Sequence, residues 1–360
     1  MIDTDRLERI GWSARLEQHI EDDEGYVPAR VLVQHKGSYV VTSAQGEFKA
    51  ELAGKLRHEA RGANDLPVVG DWVAVAPRPD EGSATIHRVL PRSTKFSRKS
   101  AGDETEEQVL AANIDSIFIV TSLNSEMNLR RLERYLTLAW ESGAAPVVVL
   151  TKKDLAPEDV EEVLEKVGSA AVGVPIHAVS GVTGEGIEEL RSYFTDGATV
   201  ALLGSSGVGK STLANALLGS EAQKVSDIRK DDKGRHTTTH RELVELPDGG
   251  ALIDTPGMRE LQLWDASGGI SNSFEDIETL ATDCRFRDCR HDQEPGCAVA
   301  AALLDGRLDR GRFESYEKLQ RELLYLERKQ DVRARSEEQR KWKIISKDQR
   351  RYYKPRSDRG

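Results

Sequence analysis

The chain has 360 residues, enough for two or three domains with cores of their own, and 38% of it is hydrophobic against 31% charged. No apolar run approaches the roughly 18 residues that a membrane span needs, and Met1-Ile2-Asp3-Thr4-Asp5 lacks the basic then apolar pattern of a secretory leader, so a soluble cytoplasmic protein without membrane contact is expected. A net charge of −10 excludes bulk attraction to nucleic acid, yet the charge is uneven: residues 1–24 carry eight acids and three bases, residues 341–360 eight bases and two acids.

Residues 1–28 form an acidic extension to which the sequence assigns no role. In 29–100, five short strands bounded by turn residues are predicted at Val31-Leu32-Val33, Ser38 to Thr42, Phe48 to Leu52, Asp71 to Val75 and Ala84-Thr85-Ile86. Their spacing suits an OB-type β-barrel, although periodicity fits another small barrel equally well. Tyr39, Phe48 and Trp72 are candidates to stack on bases, but Trp72, beside Val69 and Val73, is expected in the barrel core. The run from Pro91 to Ser100 contains no acid. Together with the basic tail it suits point contacts with a polyanion, or it is an ordinary solvated linker.

From 101 to 265 the rhythm becomes strand then helix. Continuous apolar strands at Ser116 to Val120, Val147 to Leu150 and Thr199 to Leu203 alternate with helices near 129–142 and 157–167, the pattern of a parallel α/β sheet buried on both faces. At the end of the second strand stands Thr151-Lys152-Lys153-Asp154. Asp154 can accept from guanine N1 and N2, donors that adenine lacks, while Lys152 lays its stem along the base. Thr151 occupies a position where Asn is commoner in GTPases, which predicts a weaker brace for the loop. Alone, this tetrapeptide would be read as a helix-entry turn capped by Asp. Ser180-Gly181, after another apolar segment, can present a backbone amide to guanine O6, and the pair favours a base pocket.

Behind Thr199 to Leu203 comes Gly204-Ser205-Ser206-Gly207-Val208-Gly209-Lys210-Ser211-Thr212, a phosphate-binding loop leading into an apolar helix. Its amides cradle the β-phosphate, Lys210 neutralises β/γ charge and Ser211 holds Mg2+. In an ordinary GTPase the phosphate loop precedes the guanine motif; here it follows, the signature of a circularly permuted P-loop domain. Downstream, Asp254-Thr255-Pro256-Gly257 places Asp254 to reach Mg2+ through water and the Gly257 amide to meet the γ-phosphate. In Gly234-Arg235-His236-Thr237-Thr238-Thr239, Thr238 is the candidate to complete the Mg2+ shell. Met258 stands where many GTPases have Gln, and a thioether cannot orient water. Intrinsic hydrolysis of GTP to GDP is therefore expected to be slow, and His236 becomes the candidate to position water, against the plainer reading of a loop residue.

Residues 266–330 read as mainly helical and hold every cysteine of the chain. Cys284, Cys289, His291 and Cys297 offer three thiolates and one imidazole, enough for one closed structural zinc site, the alternative being reduced surface thiols. Residues 331–360 read as a helix fraying into the basic tail.

These motifs together resemble the RsgA/YjeQ family of circularly permuted GTPases over nearly the whole chain, from Gly70-Asp71-Trp72-Val73 through the guanine, phosphate and switch motifs to the cysteine module. The resemblance implies a GTPase acting in late maturation of the small (30S) ribosomal subunit, an OB barrel and zinc module gripping its 16S rRNA, hydrolysis stimulated by the subunit, and a monomer. Thr151 in place of Asn and Gly181 in place of a frequent Ala are departures. Two further readings stay open: an RNA-binding module whose nucleotide is structural, and a GTPase serving another RNA or a membrane surface through its basic tail.

Overall fold

The computed structural model describes residues 5–20, 25–35, 37–60, 62–99, 107–123, 127–156, 160–219, 241–254, 267–292, 294–326 and 328. Two short helices, α1 (Asp5–Glu8) and α2 (Ala14–Glu17), precede the barrel. The barrel consists of β1 (Val27–Gln34), β2 (Tyr39–Ser43), β3 (Gly46–Leu52), followed by α3 (Gly54–Glu59), then β4 (Trp72–Arg78) and β5 (Ser83–Val89). Pairing runs β1-β2-β3-β5-β4 and β4 returns to β1, so the sheet closes on itself in the OB manner and leaves no barrel edge open. Alternate side chains fill it: Ala29, Val31, Tyr39, Val41, Phe48, Ala50, Val73, Val75, Ala84 and Ile86.

That packing corrects two expectations. Tyr39 and Phe48 lie inside the barrel and are not available to stack on bases. Trp72 is buried as expected, but outside the barrel rather than in its core. Neighbours along a strand face opposite ways, so Val73 pointing in sends Trp72 out. There it meets Trp12 edge to face at 5.0 Å, in a cluster with Leu7, Ile10, Ile20, Ala74 and Leu90. The described part of the acidic extension thus roofs the outer barrel wall.

Beneath that roof lies Arg30, 1% exposed, with its guanidinium 5.1 Å from the Trp72 ring centre. It donates to the carbonyls of Ile10, Gly70 (3.4 Å) and Asn113 (3.2 Å) and to Thr199 Oγ1 (2.7 Å). Burial pushes its pKa down to about 10, against the opposing charges of Asp115 and Asp71, so it stays cationic at neutral pH. The roof also sits directly on the next domain: at Gly197, with φ +75, an added Cβ would lie 2.4 Å from the Glu8 carbonyl.

The basic run becomes half of a hairpin, β6 (Lys95–Lys99) with β7 (Glu107–Ala112). Much of its charge is already engaged: Arg92 forms a two-pronged pair with Asp71 at 2.7 and 2.8 Å, Lys95 meets Glu107 at 2.8 Å, and Arg98 donates to Gln108. Phe96 is core. These contacts favour the plainer reading of the segment as a structural linker.

The second domain is a six-stranded sheet built from β8 (Ser116–Ser122), β9 (Ala145–Thr151), β10 (Ile176–Ala178), β11 (Thr199–Leu203), β12 (Glu242–Glu245) and β13 (Ala251–Asp254), in the order β10-β9-β8-β11-β13-β12. All neighbours are parallel except the β12–β13 pair. Helices cover both faces: α4 (Leu129–Glu141) and α5 (Val160–Ala170) on one, α6 (Ile187–Arg191) and the helix α7 at 210–219 on the other. Alternate residues divide accordingly, with Ile117, Ile119, Val148 and Ile253 facing Leu132 and Leu136, and Phe118, Val120, Val149 and Leu252 facing Leu190, Leu213 and Leu217.

Four C-terminal helices, α8 (Ser267–Ser273), α9 (Glu275–Thr282), α10 (Ala298–Leu304) and α11 at 310–326, continue the first of these cores through Ile270, Phe274, Val299, Phe313 and Leu319. Buried Arg312 ties them to α4 by donating to Glu133 Oε1 (3.0 Å), both Asp276 carboxylate oxygens (2.7 and 2.8 Å) and the Ser273 carbonyl (2.9 Å). Burial works against this charge, but the Asp276 and Glu133 carboxylates hold its pKa above the ordinary value.

Candidate nucleotide site and metal cluster

Parallel strands of one sheet deliver their loops to one edge, and here the C-terminal ends of β9, β10, β11 and β13 lead into the guanine tetrapeptide, Ser180-Gly181, the phosphate loop and Asp254-Thr255-Pro256-Gly257 respectively. Three described segments separated in the chain meet at this edge, and β13 ends beside them at Asp254.

The phosphate loop turns sharply out of β11. Gly204 has φ +157, and a Cβ there would sit 2.2 Å from the Val120 carbonyl, so no other residue fits. Lys210, at the start of α7, folds back to donate to the carbonyls of Gly204 (2.7 Å) and Ser205 (2.6 Å). Ser206 and Gly207 at the tip, and Ser211 and Thr212 in the first turn of α7, are exposed, while Val208 and Gly209 are half-buried. Backbone amides at a helix start beside a lysine make a phosphate cradle.

Thr151 joins this loop to the guanine motif. Its hydroxyl lies 3.1 Å from the Thr121 carbonyl and within hydrogen-bond reach of the Val208 carbonyl, so the brace that Asn would provide is made by a shorter side chain. Lys152 adopts a left-handed backbone at φ 60, and Lys153 pairs with Glu185 at 2.6 Å. Asp154 is exposed, with Oδ1 receiving the Ser180 hydroxyl at 2.6 Å. Buried Ser180 also accepts from the amides of Val182 and Thr183, which shapes the turn. Gly181 packs on α7: a Cβ there would meet Thr212 Cγ2 at 3.1 Å, so Thr212 and the missing methyl fit each other.

Asp254 ends β13, and its backbone is described but its side chain is not. His236, Thr238, Gly257 and Met258 lie outside the described residues, as does the basic tail. One set of contacts has no motif to announce it: Arg131 Nη1 donates to Ser205 Oγ at 3.0 Å and the Tyr135 hydroxyl approaches the same atom at 3.4 Å, both from α4. Only the amphipathic helix was visible in the sequence, not which of its residues would reach the loop.

In the third domain Cys284, Cys289, His291 and Cys297 converge, with their ligand atoms all within 4.8 Å of one another. Cys284 Sγ lies 3.9 Å from Cys297 Sγ and 3.6 Å from His291 Nδ1, and Cys297 Sγ lies 3.4 Å from that nitrogen. A tetrahedron with metal–sulfur bonds of about 2.3 Å has edges of roughly 3.8 Å, so the donor set fits a four-coordinate ion. His291 takes a left-handed backbone at φ 64 to turn its ring inward, and Cys297 caps α10 by accepting from the Ala300 amide. The four side chains can hold a metal ion; among the described residues they form the one such group of three or more.

Comparison with known proteins agrees with this geometry. A family model described as RsgA GTPase matches residues 89–264, and one described as 50S ribosome-binding GTPase matches 199–330. The small ribosomal subunit biogenesis GTPase RsgA of Opitutus terrae is 50% identical over 357 residues, covering 96% of this chain and 97% of its own; RsgA 1 of Oceanobacillus iheyensis is 48% identical over 325 residues, covering 90% and 92%. The crystal structure of YjeQ from Thermotoga maritima superposes with a TM-score of 0.63 at 28% identity, over 83% of this chain and 99% of that one. YloQ, described as a circularly permuted GTPase, shares the fold with a TM-score of 0.61 at 23% identity, over 84% and 96%. With the permuted order of its motifs, the closed barrel and the cysteine–histidine cluster all in place, the chain belongs to the RsgA GTPase family.

Proposed function

We propose that this protein hydrolyses GTP to GDP and phosphate and uses the nucleotide state to time its contact with the maturing small ribosomal subunit and its 16S rRNA. The observation that carries the nucleotide reading is the Thr151 bridge, which locks a guanine-selecting segment to a phosphate loop across one sheet edge. The ribosomal partner is supported by two relatives at 48% and 50% identity that carry the name small ribosomal subunit biogenesis GTPase.

In this reading Asp154 and Lys152 select the base, with Ser180-Gly181 closing the pocket; Lys210 and the amides of 204–212 hold the phosphates. Ser211 and Thr238 would ligate Mg2+ directly and Asp254 would reach it through water; the bound ion would supply neutralisation of phosphate charge. Gly257 contacts the γ-phosphate, and His236 orients water in the complex with the partner. Cys284, Cys289, His291 and Cys297 hold one structural zinc, the ion favoured by three thiolates with one imidazole. The protein acts as a cytoplasmic monomer with the divisions 1–28, 29–100, 101–265, 266–330 and 331–360; no helix among the described residues is long and apolar enough to cross a membrane.

Phosphate release with and without purified small and large subunits, alongside co-sedimentation in GDP and in a non-hydrolysable GTP analogue, tests this. Stimulation and nucleotide-dependent pelleting with the small subunit alone are expected. Turnover unaffected by either subunit would favour a structural nucleotide and overturn the reading. His236→Ala should remove most of the stimulated rate while leaving GTP affinity nearly unchanged.

A further inference from the structure

We propose that Arg131 is a positioning residue for the phosphate loop, holding Ser205 from α4 so that the loop meets the γ-phosphate in a fixed shape. The inference rests on the reading of 204–212 as a GTP site, and none of the sequence motifs named above contains this arginine.

Ser205 is gripped from two sides. Its carbonyl accepts from Lys210 Nζ at 2.6 Å, while its hydroxyl meets Arg131 Nη1 at 3.0 Å and the Tyr135 hydroxyl at 3.4 Å. The helix supplying the second grip is itself immobilised. Asn128 caps it by accepting the Arg131 amide, and Glu133 is pinned by buried Arg312. A side chain launched from such a platform transmits position rather than following the loop.

Charge sets Arg131 apart from its neighbours. Arg130 and Arg134 are neutralised by carboxylates of α11, whereas no carboxylate among the described residues pairs with Arg131. Among the described residues its positive charge is therefore left uncompensated beside the phosphate loop. The charge favours the more highly charged γ-phosphate state, and the hydrogen bond fixes Ser205, so that Lys210 can exchange its grip on the loop carbonyls for phosphate oxygens without the loop collapsing after it. Arg131 touches the loop and not the reacting atoms, hence its role is positioning.

The experiment measures kcat and KM for GTP and the affinity for GDP in the full-length protein carrying Arg131→Ala, Arg131→Lys, Ser205→Ala, the double alanine variant, or Arg134→Ala. Arg131→Ala is expected to lower kcat about three- to tenfold, the range of an exposed charge-assisted hydrogen bond, with GDP affinity within about twofold of wild type. Ser205→Ala should give a similar loss, the double variant no more than either single change, and Arg131→Lys a partial recovery. Arg134→Ala breaks a contact with α11 and leaves Arg131 in place, so its kcat should stay within about twofold. Unchanged kcat in Arg131→Ala, additive losses in the double variant, or an equal loss in Arg134→Ala would each overturn the proposal. Wild-type protein that fails to hydrolyse GTP would instead sink the GTPase reading, a separate and distinguishable result.

Discussion

Replacing Thr151 by valine removes one hydroxyl and little else, which makes it a clean probe of the bridge between base and phosphate recognition. The hydroxyl has a single proton and two carbonyl neighbours, Thr121 and Val208, at a position only 3% exposed. Valine keeps the branched shape that packs near Gly209, where a Cβ would already lie 3.3 Å from Thr151 Oγ1. The substitution leaves a carbonyl of the phosphate loop unsatisfied and costs about 1–3 kcal/mol. Because Val208 belongs to the loop, the cost is paid in nucleotide binding, and a tenfold change in affinity corresponds to about 1.4 kcal/mol. GTP and GDP should therefore weaken together by roughly one to two factors of ten, with the single-turnover rate at saturation within about twofold of wild type, the pattern of lost uniform binding. Thr151→Ser, which keeps the hydroxyl, should bind almost normally. Fluorescent-nucleotide titration with rapid-quench hydrolysis reads both quantities. Unchanged affinity in Thr151→Val, or a serine variant as weak as the valine one, would refute the bridge.

Three further outcomes follow from other parts of the molecule. Asp154→Asn should narrow the preference for GTP over ATP about tenfold or more in competition binding, because an amide presents a donor where guanine also donates. Cys289→Ser should reduce bound zinc, measured by metal analysis of protein purified without chelator, and should loosen the third domain while nucleotide affinity remains. Arg312→Met should lower stability by about 3–5 kcal/mol in denaturant unfolding, since Glu133 is left buried without its cation; a loss below about 1 kcal/mol would show that the network contributes little.

What the sequence made readable was whatever is local. The barrel strands, the apolar strands of the sheet, the phosphate loop and the Cys284 to Cys297 spacing all repeat or punctuate within a few residues, and each lies where periodicity put it. Circular permutation was equally plain, because it concerns only the order of motifs. Contacts between distant segments were not. Trp72 was sent to the barrel core because Val73 beside it is apolar; choosing the correct wall required knowing that residues 5–20 roof the outside. For the run at 91–100 the sequence left polyanion contact and a solvated linker both open, because Asp71 and Glu107, the partners of Arg92 and Lys95, are contributed by other segments. Thr151 looked like a weakened brace because residue type was compared without the distance to Val208. Arg131 carried no signal beyond helical spacing, and nothing in a helix pattern says which residue faces a loop more than 70 positions away.

The Arg30 knot has a consequence for the order in which the protein can be made. Every strand pairing that closes the barrel lies within 27–89, so the barrel is complete early in synthesis. Its buried guanidinium, however, takes acceptors from Asn113 and Thr199, which leave the ribosome long afterwards. Until then Arg30, on the outer wall of the barrel, has only part of its acceptors, the carbonyls of Ile10 and Gly70. The full set of Arg30 contacts therefore requires strand β11, and a truncated chain ending before residue 199 is expected to expose Trp12 and Trp72 more than the full chain does, as read by tryptophan fluorescence.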